Sequence, residues 1–240
     1  MLSCVVPVYN NKEFLPLLVQ RLSEMMWKLK LAHEIICIVD GSDDGSFSVL
    51  NYLQSLYPHL VVVEHEHRIG FYLSALEGIG LTKGSMVAFL DGSVIQSIAS
   101  LQSYVFSLMT GRAEVAVGSR LHKASQISMS LLSKAALQYT TFFARSVVPL
   151  TDPMSNFFVA KREVFFDIDY AVDGVSVGFE VFTKGKYSTI EDNGYAAQLG
   201  NRDFQGFSMG EIGVALKQVK LARMWMQEKD QGKVENVFLG

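Results

Sequence analysis

Short, uniformly apolar runs alternate along this chain with longer stretches of helical periodicity, and that alternation restricts its fold more than any other feature. Residues 2–8, 35–39, 60–64, 86–90 and 113–118 are rich in aliphatic and β-branched side chains, and turn residues follow most of them. Between them, residues 13–31, 47–56, 72–81 and 99–109 carry apolar side chains three and four apart, the spacing of one helix face. Strand, helix, strand, helix at such intervals calls for parallel strands joined by right-handed crossovers. The runs CVV, IICIV, LVVV and MVAFL are apolar on both faces, as in a sheet covered by helices on both sides.

The second half is less regular. Residues 125–148 read as one long helix or two, 156–160 as a short strand followed by a helix near Glu163, 188–191 as another strand and 209–227 as a C-terminal helix. Ser46 is placed to cap the helix at 47–56. With 240 residues and no internal repeat, one α/β domain over 1–240 is expected. Its regular half covers 1–120, and the less regular half with the last helix covers 121–240. A net charge of −3 argues against a nucleic-acid partner. Cys4 and Cys37 sit inside apolar runs, so buried thiols and a cytoplasmic location are expected. The first residues lack the basic and apolar regions of a signal peptide. No stretch reaches the roughly 18 apolar residues of a membrane span, so any membrane contact would be peripheral.

In an open parallel sheet, ligands bind beyond the carboxyl ends of the strands. The segments there read VPVYNN, VDGSDDGS, EHEHRIG, LDGS and GSR, with small and charged residues suited to a nucleotide-type ligand. His65, Glu66 and His67 do not form a metal cluster on this reading. Neighbours on a strand point to opposite faces, and no third ligand accompanies His65 and His67. Phe142–Phe143 and Phe157–Phe158 are expected in the core, the alternative being exposed aromatics that meet a lipid acceptor. Trp225, with Met224 and Met226, either packs inward or forms a membrane-interface or homodimer patch.

The succession VPVYN, VDGSDDGS, RIG, FLDGS, VGSR and DPMSNFF resembles inverting family 2 glycosyltransferases. The nearest branch on these motifs transfers sugars to dolichol phosphate and other polyprenyl phosphates. The resemblance runs from about residue 2 to 208 and implies a GT-A-like mixed, mostly parallel sheet flanked by helices. It further implies a nucleoside-diphosphate sugar donor and a polyprenyl-phosphate or glycan acceptor. Pro7, Val8, Tyr9 and Asn11 would line the base and ribose pocket, with Asp40 in the loop that reads them and Gly70 beside the donor. Asp91 stands at the first acid of the DxD metal motif, so Asp91 and Ser93 would hold Mg²⁺ or Mn²⁺. Arg120 would meet the diphosphate, Asp152 would open the acceptor side, and Arg202 and Ser208 would close on the donor. Asp91, Asp152 and Arg202 are the catalytic candidates.

Four positions depart from the pattern. Asn11, Val39, Ser93 and Met209 are neutral where relatives carry charge. Two outcomes fit: a transferase that relies on arginines and a weakly held ion, or a nucleotide-binding or scaffold subunit that has lost turnover. A nucleotidyltransferase is disfavoured, because VPVYNN lacks the Gly-rich basic loop after the first strand.

Overall fold

The structure, a computed structural model, describes residues 1–90, 98–121, 131–196 and 209–230. Its first elements are β1 (Leu2–Val8), α1 (Leu15–Lys28), β2 (His33–Asp40), α2 (Ser46–Leu56), β3 (Leu60–His65), α3 (Phe71–Gly80) and β4 (Met86–Phe89). Then come α4 (Ile98–Met109), β5 (Val115–Ser119), α5 (Leu131–Ala144), β6 (Phe158–Lys161), α6 (Val177–Lys184), β7 (Ile190–Ala196) and α7 (Met209–Asp230). The seven strands form one sheet in the order β3-β2-β1-β4-β6-β5-β7. Strands β3, β2, β1 and β4 are parallel neighbours, as the alternation requires.

Side-chain alternation along each strand divides the interior into two cores. Leu2, Cys4, Val6 and Val8 of β1 face the helices α1, α2 and α4. Val5 faces the other way, toward a second core that holds Tyr72 and Ala75 of α3 and the apolar sides of α6 and α7. Both cysteines are free and buried, and burial pushes the Cys37 thiol up to about 12.

The second half supplies the antiparallel part of the expected mixed sheet and corrects several other expectations. β6 runs antiparallel to both β4 and β5. Its direction follows from where the chain enters it. Asp152 is tied to Arg120 just past the C-terminal end of β5, so the chain starts β6 there and runs back down the sheet. The helix expected near Glu163 is a single 3-10 turn, Arg162–Phe165. Of the helix expected over 125–148, α5 occupies Leu131–Ala144, and residues 122–130 lie outside the described residues. α6 was not foreseen: its sequence, VGFEVFTK, combines a glycine with β-branched and aromatic residues of modest helix propensity. Tertiary contacts supply what propensity lacks. Ser176 caps the helix by accepting from Phe179 N–H, and the Asn156 side chain accepts from Gly178 N–H. Ser46 does not cap α2. Gly45, at φ 89, occupies the cap position, and the Ser46 hydroxyl instead donates to Asp44. Phe157 and Phe158 are in the core, but Phe142 projects into solvent from α5.

Candidate nucleotide-sugar site

The C-terminal ends of β1, β2 and β3 meet at one corner of the sheet. Tyr9 follows β1 with its ring exposed, and the Arg68 guanidinium lies over that ring, 4.0 Å from its centre. Asp40 ends β2 beneath them and is buried. Its Oδ1 accepts from Ile69 N–H at 2.7 Å and its Oδ2 from Gly70 N–H at 3.0 Å. The Arg68 Nε lies 4.0 Å from Oδ2, and His65 Nδ1 lies 3.4 Å from Oδ1. One buried carboxylate therefore fixes the whole 68–70 turn. Two glycines make the approach possible. A Cβ on Gly41, which has φ +60, would lie 2.4 Å from Arg68 N. Gly70, at φ +101, starts α3 in a conformation that L side chains rarely adopt.

A second set of contacts fastens the loop after β1 to the loop after β2. Asn10 and Asp43 exchange hydrogen bonds, from Asn10 Nδ2 to Asp43 Oδ1 at 2.8 Å and from Asp43 N–H to Asn10 Oδ1 at 3.1 Å. Asn11 N–H donates to the Ser46 hydroxyl, and Lys12 N–H donates to Asp44 Oδ2. Partial burial works against the charged form of Asp44. The donors Ser46 and Lys12 outweigh it and hold the carboxyl below its ordinary range.

Across the site, Arg120 follows β5 and is clamped by Asp152. Arg120 Nε donates to Asp152 Oδ2 and Nη2 to Oδ1, both at 2.8 Å, and the Arg120 N–H also reaches Oδ2 at 3.0 Å. Nη2 donates further to the Met154 carbonyl at 2.8 Å. Asp152 is 0% exposed. Arg68 and Arg120 both line a cavity of about 690 Å³, together with the start of α3, Asn156, the 172–175 segment and the first turns of α7. Tyr72, in the floor, has its hydroxyl pKa raised by burial and then by the nearby Glu180 carboxylate.

Residues 3–168 match the family described as Glycosyl transferase family 2. The chain belongs to that family. A dolichol-phosphate mannosyltransferase from Pyrococcus furiosus is 24% identical over 193 residues, covering 78% of this chain and 54% of the relative. An undecaprenyl-phosphate 4-deoxy-4-formamido-L-arabinose transferase from Yersinia enterocolitica is 31% identical over 93 residues, 38% of this chain and 28% of the relative. The chain thus spans about half, or less, of the length of these curated relatives. Among solved structures, glucosyl-3-phosphoglycerate synthase of M. tuberculosis superposes with a TM-score of 0.63 at 17% identity, over 94% of this chain and 80% of that one. The same enzyme in complex with Mn²⁺, UDP and glucosyl-3-phosphoglycerate superposes at 0.61 and 17% identity, over 94% of this chain and 79% of that one. At such identity the likeness shows the fold, a GT-A glycosyltransferase.

Against that family frame, the residues picked from sequence separate into three groups. Tyr9, Asp40 and Gly70 come together at the sheet corner, and Arg120, held by the buried Asp152, lines the cavity that Gly70 also lines. Pro7 and Val8 are buried, and the Val8 side chain belongs to the core, so these two approach a ligand only through backbone. Asn11 serves the loop through its backbone N–H to Ser46 and its carbonyl, which accepts from Phe14. Asp91, Ser93, Arg202 and Ser208 lie outside the described residues. Among the described residues, no three His, Cys, Asp or Glu side chains converge as a metal site. His65 is engaged elsewhere, with its Nε2 2.6 Å from Glu77 Oε2. The 172–175 wall and the Tyr9–Arg68 stack were not foreseen. The only sequence sign of the stack was an arginine two residues before a glycine, after the third strand.

Proposed function

We propose that this cavity receives a nucleoside-diphosphate sugar and that the chain transfers the sugar, with inversion, to a polyprenyl-phosphate or glycan acceptor. The arrangement that carries the reading is the 690 Å³ cavity lined by both Arg68 and Arg120, with Tyr9 stacked under the Arg68 guanidinium and Asp40 holding the 68–70 turn. That volume suits a small polar ligand held by a few placed groups. An exposed aromatic face suits a base, and two arginines suit a diphosphate. Residues 1–120 would then supply donor binding and 121–240 the acceptor wall. Asp152, with both oxygens on Arg120, acts as a positioning residue for that guanidinium. Asp91, with Ser93, is the proposed holder of Mg²⁺ or Mn²⁺, which would stabilise the charge that grows on the departing diphosphate. Arg202 and Ser208 would close over it. A phosphate acceptor is already ionised and needs little help from a base, whereas a hydroxyl acceptor needs a placed carboxylate. The chain would work in the cytoplasm, meeting a lipid-linked acceptor from the membrane surface. Among the described residues, no helix is long and apolar enough to cross a membrane.

The test is release of nucleoside diphosphate from UDP-, GDP- and dTDP-sugars with Mg²⁺ or Mn²⁺ and an acceptor lipid phosphate. Asp91→Ala is expected to lower the rate by about 10²–10³-fold, the usual cost of one charge-stabilising group. Absence of release from every donor, with either ion, refutes transfer. The commitment of Arg120 to Asp152, together with the Asp91-Gly92-Ser93 sequence, favours a second reading, a nucleotide-binding subunit without turnover. On that reading the wild type binds donor without consuming it, and Ser93→Asp creates Mn²⁺ binding.

A further inference from the structure

Helix α5 carries an apolar surface that no other described element covers. Leu131 is 88% exposed, Leu132 77%, Phe142 72% and Tyr139 51%. At about 3.6 residues per turn, Leu131, Ala135, Tyr139 and Phe142 fall on one stripe, with Leu132 at its edge. The opposite side, with Leu137, Thr140 and Ala144, is buried. The stripe is thus a second apolar face on a helix whose first face already packs inward. Lys134 falls along one border of the stripe, and the exposed Arg145, the first residue past the helix, donates to the Leu150 and Thr151 carbonyls. At the other end of α5, Arg223 of α7 reaches across to donate to the Phe143 carbonyl and the Ser146 hydroxyl, bringing a third cation to the surface. α7 adds exposed Leu221 and Met224. The chain as a whole has a charge of −3, yet these two helices and Arg145 carry six Lys and Arg against three Asp and Glu; Lys217 pairs with Asp173, which leaves a local +2.

We infer that the α5–α7 surface docks on an anionic lipid bilayer. Leucine and aromatic side chains along one stripe, bordered by lysine and arginine, are the pattern of a helix that lies in the membrane interface. Apolar burial and attraction to acidic headgroups then act together. A second copy fits less well, because a two-fold contact sets the same basic border against itself. The first turns of α7 also line the cavity, so docking through α5 and α7 would bring the catalytic cleft to the membrane surface. The inference rests on exposure and charge alone, and it stands or falls independently of donor chemistry.

The test is flotation of the full chain with vesicles of phosphatidylcholine alone and of phosphatidylcholine with phosphatidylglycerol, at low and high salt. Binding is expected to the anionic vesicles and to weaken as salt rises. Leu131→Asp combined with Phe142→Asp is expected to reduce it by at least about tenfold, the effect of losing the burial of two large side chains. Trp27→Asp, which alters an exposed aromatic on α1, is expected to leave it unchanged. Unchanged far-ultraviolet circular dichroism and melting temperature establish that each variant is folded. Failure to bind anionic vesicles overturns the proposal, as does equal binding by the double variant. Sedimentation velocity resolves the alternative: a dimer that the double variant dissociates, with no vesicle binding by the wild type, assigns the surface to a second copy.

Discussion

Replacing Asp152 with alanine tests how Arg120 is held at the cavity. The carboxylate is fully buried, and the Arg120 side chain is only 10% exposed. Two side-chain donors and one backbone donor of Arg120 end on the two Asp152 oxygens, between 2.8 and 3.0 Å. Removing the acid takes the two-oxygen counter-charge away from a nearly dry guanidinium, with the Met154 carbonyl among its remaining partners. Breaking a buried pair by deleting one partner costs about 3–5 kcal/mol. At about 2–4 °C per kcal/mol for a chain of this size, the melting temperature should fall by roughly 6–20 °C. Replacing both members with apolar residues, Asp152→Ala with Arg120→Met, removes the buried cation together with its acid and should recover most of that loss. Urea denaturation of the wild type, both single variants and the double variant yields the coupling energy directly. Additive losses, or an Asp152→Ala loss below about 1 kcal/mol, would refute the clamp. Lost transfer at unchanged stability would instead put Asp152 in the chemistry itself.

Asp40→Ala should release the turn beneath Arg68: the Ile69 and Gly70 amides lose their acceptors, and hydrogen exchange at those two positions should become fast while α1 stays protected. Gly178→Ala would drive a Cβ to 2.0 Å from the Ser155 carbonyl, a backbone atom that cannot swing aside, and should destabilise by about 1–3 kcal/mol or more in urea titration. Burial, and then the neighbouring His33 ring 4.1 Å away, hold the His59 pKa below its ordinary value. The unfolded chain therefore takes up the proton first, and stability should decline as pH falls through about 6.5, the unfolded value. His59→Gln should flatten that part of a pH series of denaturation midpoints.

What could be read from sequence was whatever depends on local pattern. The apolar runs from Leu2 to Gly118 marked the first five strands to within a residue or two, because a strand buried on both faces leaves no room for polar side chains. The antiparallel β6 was not legible, since its direction is set by contact between residues 120 and 152, far apart in sequence. α6 was hidden by Gly178 and the Val and Phe around it, and its helical state rests on Ser176 and Asn156. Leu131, Phe142 and Phe143 have helical spacing whether a face turns inward or outward, so periodicity did not distinguish core from surface. At the site, Tyr9, Asp40 and Arg120 were recognisable from motif order. What each touches was not. Asp40 turned out to hold the 68–70 turn, and Arg120 to be held by Asp152.

The central claim, a nucleotide-sugar site at the cavity lined by Arg68 and Arg120 with Tyr9 stacked on Arg68, is tested most directly by ligand-induced stabilisation. Melting temperature is measured with UDP-, GDP- and dTDP-sugars, each with and without Mn²⁺, for the wild type and Tyr9→Ala. A ligand that binds the folded chain at about 100 times its Kd adds about 2.7 kcal/mol of stability. The account predicts a clear rise for at least one donor, largely abolished in Tyr9→Ala. No rise with any donor, or an equal rise in the variant, would contradict it.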